Sequence, residues 1–255
     1  MKSAKAVVVI PARYASTRLP GKLILPEVKA VTGRYIIEHV YQNVRQAKRI
    51  DKVIVATDNQ FIYDIVKGFG GEAEMTSLSH TSGTDRIAEV AGRLDADIIV
   101  NVQGDEPEVS ANMVDQVVDT LAEDAGGVMA TLANTIKDST ELANPHVVKV
   151  VLDNCGYALY FSRSQIPYVR DGKDPIKESG VTFLKHLGIY AYRRDFLLKY
   201  SKLPVSSLEN AEKLEQLRAL SNGYKIKVAI TNYTSRGIDT REDLIVFMER
   251  FKKHD

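Results

Sequence analysis

The chain has 255 residues, 44% of them hydrophobic and 26% charged, with a formal net charge of +1. That length and apolar content allow a sizeable core, as one large α/β domain or one domain with a lobe. The near-neutral balance gives no general reason to bind nucleic acid or an anionic membrane, so any concentration of cations has a local purpose.

The single cysteine, Cys155, excludes an intrachain disulfide and points to a reducing compartment. No stretch approaches the roughly 20 apolar residues of a membrane span. The N-terminal apolar run is too short for a secretory core and lacks a small-residue cleavage site. The expectation is a soluble, cytoplasmic protein without nucleic-acid or membrane partners.

Ala6 to Ile10 is a continuous apolar run and reads as a strand. It stops at Pro11, and a loop follows with three cations, Arg13, Arg18 and Lys22, set among small and hydroxyl residues. Fixed cations beyond the end of a parallel strand can hold phosphates, helped by backbone N–H groups around Ala15-Ser16-Thr17. The loop matches neither a Walker A sequence nor the G-x-G-x-x-G fingerprint. A solvated basic turn is the alternative.

Gly33 to Ala47 carries Ile36, Ile37, Val40 and Val44 at helical spacing. Lys52 to Thr57 is a strand, Gln60 to Phe69 a short helix, Glu74 to Thr76 a short strand and Asp85 to Leu94 a helix. Before that last helix, Ser82-Gly83-Thr84 offers a cap, and its hydroxyls could also read a base or ribose. Asp97 to Val102 is another apolar strand, and Ala111 to Ala122 a helix with Met113, Val114, Val117, Val118 and Leu121 inward. Apolar strands alternating with helices indicate a parallel sheet covered on both faces, with functional loops beyond the strands' carboxyl ends. Gln103-Gly104-Asp105-Glu106-Pro107 is such a loop. Asp105 suits Mg²⁺, which takes one or two carboxylates plus phosphate oxygens, or is a turn residue. Glu106 reads as structural because Pro107 directs the chain away.

The second half is richer in strands. Val147 to Leu152 and Tyr157 to Ser162 flank Asp153-Asn154-Cys155-Gly156 and read as a hairpin, with Cys155 a turn residue. Val169 to Gly180 is polar and reads as a mobile loop. Phe183 to Tyr192 is a strand on which His186 and Tyr190 share one side. With Arg163 they could form a pocket for an anionic, hydroxyl-rich molecule, or His186 is simply a satisfied strand residue. Leu208 to Leu220 reads as one helix ended by Asn222-Gly223, with Glu212 and Gln216 four apart on a shared face. These two face a polyol or water. Lys225 to Thr231 is a strand and Arg241 to Lys252 a closing amphipathic helix. Asp239 is a second metal acid or an N-cap for that helix.

These stretches, in this order, resemble the 3-deoxy-manno-octulosonate (Kdo) cytidylyltransferases. The matching blocks are IPARYASTRLPGK, VIVATD, HTSGTDRIAEV, VNVQGDEP, VKVVLDNCGYALYFSRSQIPY, LKHLGIYAYRRDFL, LENAEKLEQLRAL and GIDTREDL. They span nearly the whole chain. The resemblance implies the nucleotide-diphospho-sugar transferase fold, a mostly parallel central sheet flanked by helices with a smaller β-rich lobe for sugar binding and dimerisation. It implies a single domain over 1–255, with 1–135 mainly nucleotide-binding, 136–224 mainly sugar-binding and dimerising, and 225–255 returning to the main sheet. It implies a homodimer that converts CTP and Kdo to CMP-Kdo and pyrophosphate for lipopolysaccharide synthesis. Transfer to an 8-amino Kdo analogue or a sialic acid, and a non-catalytic nucleotide-binding module, are the alternatives.

By matched position the resemblance makes Arg13, Lys22, Asp105 and Asp239 catalytic, with Asp105 and Asp239 ligating Mg²⁺. The nucleotide set is Pro11, Ala12, Arg13, Ser16, Arg18, Lys22, Ser82, Gly83, Thr84 and Arg86. The sugar set is Gln103, Arg163, His186, Tyr190, Glu212 and Gln216, with Glu215 competing with Gln216. The chain departs from the family pattern after Lys22. Leu23 replaces a proline, the connection LILPEVKAVT is longer, and Gly33-Arg34-Tyr35 stands where Gly-Lys-Pro is common.

Overall fold

The computed structural model describes residues 4–14, 19–80, 82–170, 175–178 and 180–252. In chain order the elements are β1 (Ala6–Ala12), α1 (Pro26–Thr32), α2 (Ile36–Val44), β2 (Lys52–Thr57), α3 (Gln60–Gly68), β3 (Ala73–Met75), α4 (Gly83–Gly92), β4 (Ile98–Asn101) and α5 (Ala111–Ala122). There follow β5 (Met129–Thr135), α6 (Ser139–Ala143), β6 (Lys149–Leu152), β7 (Ala158–Ser162), α7 (Pro175–Glu178), β8 (Leu184–Arg193), α8 (Arg194–Tyr200), α9 (Ser207–Glu212), α10 (Leu217–Ser221), β9 (Ile226–Ile230) and α11 (Arg241–Lys252). A 3₁₀ turn, Lys22–Ile24, lies between β1 and α1. The chain divides into two compact units, Met1–Asp115 with Thr234–Asp255, and Gln116–Tyr233.

In the first unit β3, β2, β1 and β4 lie side by side, all parallel. Every residue of β1 is buried, which is why it reads as an unbroken apolar run. The inward stripe of α2 is the expected one: Ile36, Ile37, Val40 and Val44 are wholly buried. Helix starts are secured by side chains, Asn59 accepting from Ile62 N at 3.1 Å and Ser82 from Asp85 N at 3.1 Å.

The strand β1 runs two residues past the expected stop, through Pro11 to Ala12, paired to Ala56 and Thr57 of β2. Its pairing with β4 ends at Val9 and Asn101, so Pro11 lacks an N–H where no second ladder asks for one. The segment LILPEVKAVT, read only as a long connection, is largely helical. Pro26 stands in the first turn of α1, where its missing donor costs nothing, and Gly33 ends the helix at φ 79°. Glu27 of α1 pairs with Arg241 of α11.

In the second unit β5 runs antiparallel to β8 and parallel to β9, and β6 and β7 form the expected antiparallel hairpin. The turn Asp153-Asn154-Cys155-Gly156 closes with Gly156 at φ 78° and an exposed Cys155. The strand β5 was not expected. Its inner residues, Met129 to Ala133, are all buried, but small Ala and Thr side chains give them no strand-like alternation. The stretch Val169 to Gly180, read as a mobile loop, contains the short helix α7; residues 171–174 and 179 lie outside the described residues.

The expected single helix over 208–220 is two helices. The left-handed conformation of Lys213, φ 53°, ends α9 there, and α10 begins at Leu217. Arg218 of α10 grips Glu209 of α9 in a two-pronged, nearly buried ion pair, with N–O distances of 2.9 and 2.6 Å. No helix among the described residues is long and apolar enough to cross a membrane.

Candidate active site

At the carboxyl end of β1, in the first unit, three segments remote in sequence converge on one ammonium group. Lys22 Nζ lies 2.5 Å from Asp105 Oδ2, 3.0 Å from Asp239 Oδ1 and 2.9 Å from the carbonyl oxygen of Ile238. Gly21 turns the chain into the 3₁₀ segment that carries Lys22, and its φ of 66° favours glycine. Gly104 brings the Gln103-to-Pro107 loop down onto β1. A β-carbon there would stand 3.1 Å from the Pro11 carbonyl oxygen, with Ile37 and Leu23 close behind. Ile238 N donates to Asp105 O at 2.8 Å, which pins the Asp239 segment to the same loop.

The cap of α11 is not Asp239 but its neighbour. Thr240 Oγ1 accepts from Asp243 N at 3.2 Å, while Asp243 accepts from the N–H groups of Asp239 and Thr240 at 3.1 and 2.9 Å. That is a capping box built on Thr240, and it leaves the Asp239 carboxylate for Lys22.

The electrostatics follow from the packing. Burial works against the charge of Lys22, whose side chain is 11% exposed, but Asp105 and Asp239 outweigh it and raise its pKa. Burial lifts the carboxyl of Glu106 to about 7, and the charges of Asp105 and Asp239 push the same way. Sequence reasoning set Glu106 aside as structural; it is a third acid within the electrostatic reach of the pair.

The other nucleotide candidates are divided. Pro11 and Ala12 are buried at the end of β1, and Arg13 beside them is exposed. Ser16 and Arg18 lie outside the described residues. Gly83 packs on Pro11, with room for a β-carbon only at 3.4 Å, so the start of α4 joins the same strand end. Ser82 is the α4 cap and Thr84 is buried. The Arg86 side chain is wholly buried, donating to Asp58 Oδ2 at 2.5 Å and to the hydroxyl of Thr76. It ties the end of β2 to the chain after β3, a structural pairing that occupies the guanidinium of this expected nucleotide residue.

Of the expected sugar residues, Gln103 belongs to the first unit and donates to Asn101 Oδ1 at 3.1 Å. The other five lie in the second. Arg163 and Glu212 are brought together. Glu212 accepts from Ser162 Oγ at 2.6 Å and from Arg163 N at 2.9 Å, and Arg163 Nε donates to the Glu212 carbonyl at 2.8 Å. His186 and Tyr190 stack with ring centroids 5.2 Å apart, and a bulge in the β5–β8 ladder lies between them. Burial lowers the His186 pKa to about 3, so the ring is neutral, with Nε2 3.1 Å from Thr131 Oγ1. Glu212 and Gln216 do not share a helix face, because the break at Lys213 separates them. Gln216 is buried, with its Nε2 unpaired among the described residues.

One residue escaped the sequence reading. Lys149 is fully buried on β6 and donates to the carbonyls of Arg163 at 2.5 Å and Asn144 at 3.0 Å. Burial lowers its pKa, with Arg163 adding to this and Glu212 opposing it. The available signal was its place among valines in VKVVLD, where one face must turn inward.

A family model described as cytidylyltransferase matches residues 7–226. The 3-deoxy-manno-octulosonate cytidylyltransferase of Geotalea uraniireducens is 50% identical over 254 residues, 98% of this chain and 100% of that protein. The protein of the same name from Geotalea daltonii is 49% identical over 253 residues, 97% and 98% of the two chains. Among solved structures, CMP:2-keto-3-deoxy-manno-octonic acid synthetase complexed with CTP superposes with a TM-score of 0.91 at 42% identity, over 99% of this chain and 100% of that one. The chain belongs to the 3-deoxy-manno-octulosonate cytidylyltransferase family.

Proposed function

We propose that this protein is the enzyme that joins CTP and Kdo to give CMP-Kdo and pyrophosphate. The observation that carries this reading is the convergence of Lys22, Asp105 and Asp239 at the end of β1, a cation and two acids in the place where a triphosphate would be received. Near-identity of length and fold with a synthetase solved with CTP supports it. The site residues suit a divalent ion. Two carboxylates already share one cation, and among the described residues no third His, Cys, Asp or Glu completes a closed cage. That is the donor set Mg²⁺ accepts when phosphate oxygens and water supply the rest. Asp105 and Asp239 would hold it. When bound, Mg²⁺ supplies charge neutralisation for phosphate oxygens.

The reaction needs no covalent intermediate. The anomeric hydroxyl of Kdo attacks the α-phosphorus of CTP in line, the new P–O bond forms as the hydroxyl proton passes to water, and the bond to the β-phosphate oxygen breaks. Negative charge grows on the departing pyrophosphate, and Lys22 and Arg13 neutralise it. In the second unit Arg163 meets the sugar carboxylate, while Glu212, Gln216 and the His186–Tyr190 pair meet its hydroxyls. The unpaired Gln216 amide is the donor a polyol would satisfy. We assign the protein to the cytoplasm, where CTP is made, and to a homodimer.

The test is pyrophosphate release from CTP with Mg²⁺ and, in turn, Kdo, its 8-amino analogue and a sialic acid. Release with Kdo foremost is expected; release with none of them would favour a binding module and sink the reading. Asp105→Asn or Lys22→Ala lowers turnover by about 10²–10³ with the melting transition still cooperative. Near-normal CMP-Kdo formation by either variant contradicts the roles of these two residues.

A further inference from the structure

We propose that Lys22 is the resident counter-ion of the Asp105–Asp239 pair, so that the nucleotide-free protein turns away a free divalent ion and admits one only together with a triphosphate. The inference rests on the reading of these two acids as the metal ligands.

A lysine ammonium has three protons and no acceptor. In this site all three have partners: Asp105 Oδ2, Asp239 Oδ1 and the Ile238 carbonyl. The ammonium is therefore fully coordinated, two of its three partners being the carboxylates that would hold the metal, and its side chain is largely shielded from water. A divalent ion and an ammonium cannot share that space, since two cations at contact distance repel strongly in a partly buried site. A free ion entering alone would have to displace Lys22 and leave a shielded ammonium without acceptors.

A triphosphate changes that balance. Its oxygens replace the three acceptors, Lys22 moves from carboxylates to phosphate, and the vacated carboxylates then call for a cation. Each step keeps charges paired. Lys22 thus does two jobs with one charge, filling the acid pair before the nucleotide arrives and neutralising the phosphates afterwards. The capping box on Thr240 also holds the Asp239 backbone in place for either cation, because Asp243 accepts from the Asp239 N–H as well.

The experiment is a titration of nucleotide-free protein with Mn²⁺, following free Mn²⁺ by electron paramagnetic resonance. Lys22→Met is expected to bind Mn²⁺ about tenfold more tightly than the native chain, or better, a factor worth about 1.4 kcal/mol. Lys22→Gln, which keeps a polar tip, is measured beside it in case the methionine variant does not fold. Adding Asp105→Asn to either variant should remove the gain. Equal Mn²⁺ affinity in the native chain and in both Lys22 variants overturns the proposal. A separate arm adds the native chain to Mn²⁺–CTP without sugar and reads water-proton relaxation. If the relaxation change is present and Asp105→Asn abolishes it, while the Lys22 variants gain nothing, only the counter-ion role falls. If Asp105→Asn leaves that change intact, the metal reading falls and takes this proposal with it.

Discussion

At the scale of single residues, the informative cases are those where a neighbour took over a job. Asp239 and Thr240 are adjacent and both suit a helix cap; the hydroxyl took the cap and the carboxylate went to Lys22. Nothing in Gly237-Ile238-Asp239-Thr240 alone decides between them, because the deciding partner, Lys22, is more than 200 positions away. Arg86 is the reverse case. A cation following hydroxyl residues looks like a ligand contact, yet it lies four before Val90 on the stripe with Ile87, and that periodicity turns it inward. Its removal should act on stability before binding. Arg86→Met strands Asp58 and Thr76 and is expected to cost about 3–5 kcal/mol, read from the urea midpoint. A loss below about 1 kcal/mol would mean that this pair holds little together.

At the scale of elements, strongly periodic segments were legible and two kinds of segment were not. Lys52–Thr57, Ala111–Ala122 and Arg241–Lys252 have the bounds the sequence indicates. The strand β5 was invisible because Ala and Thr residues break up its apolar run around Met129 and Leu132. The helix over 208–220 was read as continuous because its apolar spacing survives the break: Leu214 and Leu217 are buried although the chain turns at Lys213. An isolated left-handed lysine leaves no mark in a hydrophobic pattern, and the Glu209–Arg218 pair that holds the two short helices together is visible in the structure alone. The strain at Lys213 is measurable. Lys213→Gly is expected to stabilise by up to about 1 kcal/mol, while Lys213→Val destabilises by at least as much. Thermal melts that rank Val above Gly would refute the assigned backbone conformation.

At the scale of the whole molecule, the alternation of apolar strands and helices made the α/β class and the parallel β3-β2-β1-β4 order of the first unit accessible, since only a sheet covered on both faces spares such strands from alternating. Its response to pH depends on groups whose burial no pattern disclosed. Among the described residues each unit carries one histidine held neutral, buried His39 with its pKa lowered to about 4, chiefly by desolvation, and half-buried His186 lowered to about 3 by desolvation. Both folded values lie below the ordinary 6.5, so the unfolded chain binds more protons between them and stability falls as pH drops below 6.5. Each contributes at most about 1.4 kcal/mol per pH unit. Glu106 opposes this: its folded value of about 7 lies above the ordinary 4.5, so its share of stability falls as pH rises from 4.5 to 7. Denaturant titrations at pH 5 and 6.5 should therefore find the chain weaker at pH 5, with Glu106→Gln steepening that difference and His39→Asn flattening it. A flat profile in all three proteins would show that these groups keep their ordinary affinities once folded.

The first unit is assembled from two stretches of chain separated by the whole of the second. A polypeptide leaves the ribosome amino end first, so Lys22 and Asp105 emerge long before Asp239. Until residues 234–252 follow, the early lysine has one carboxylate to lean on instead of two, and a transcript cut short anywhere before that point yields a chain with half a site. Competence for chemistry is thereby deferred until that segment has been made, a safeguard that comes from chain order alone.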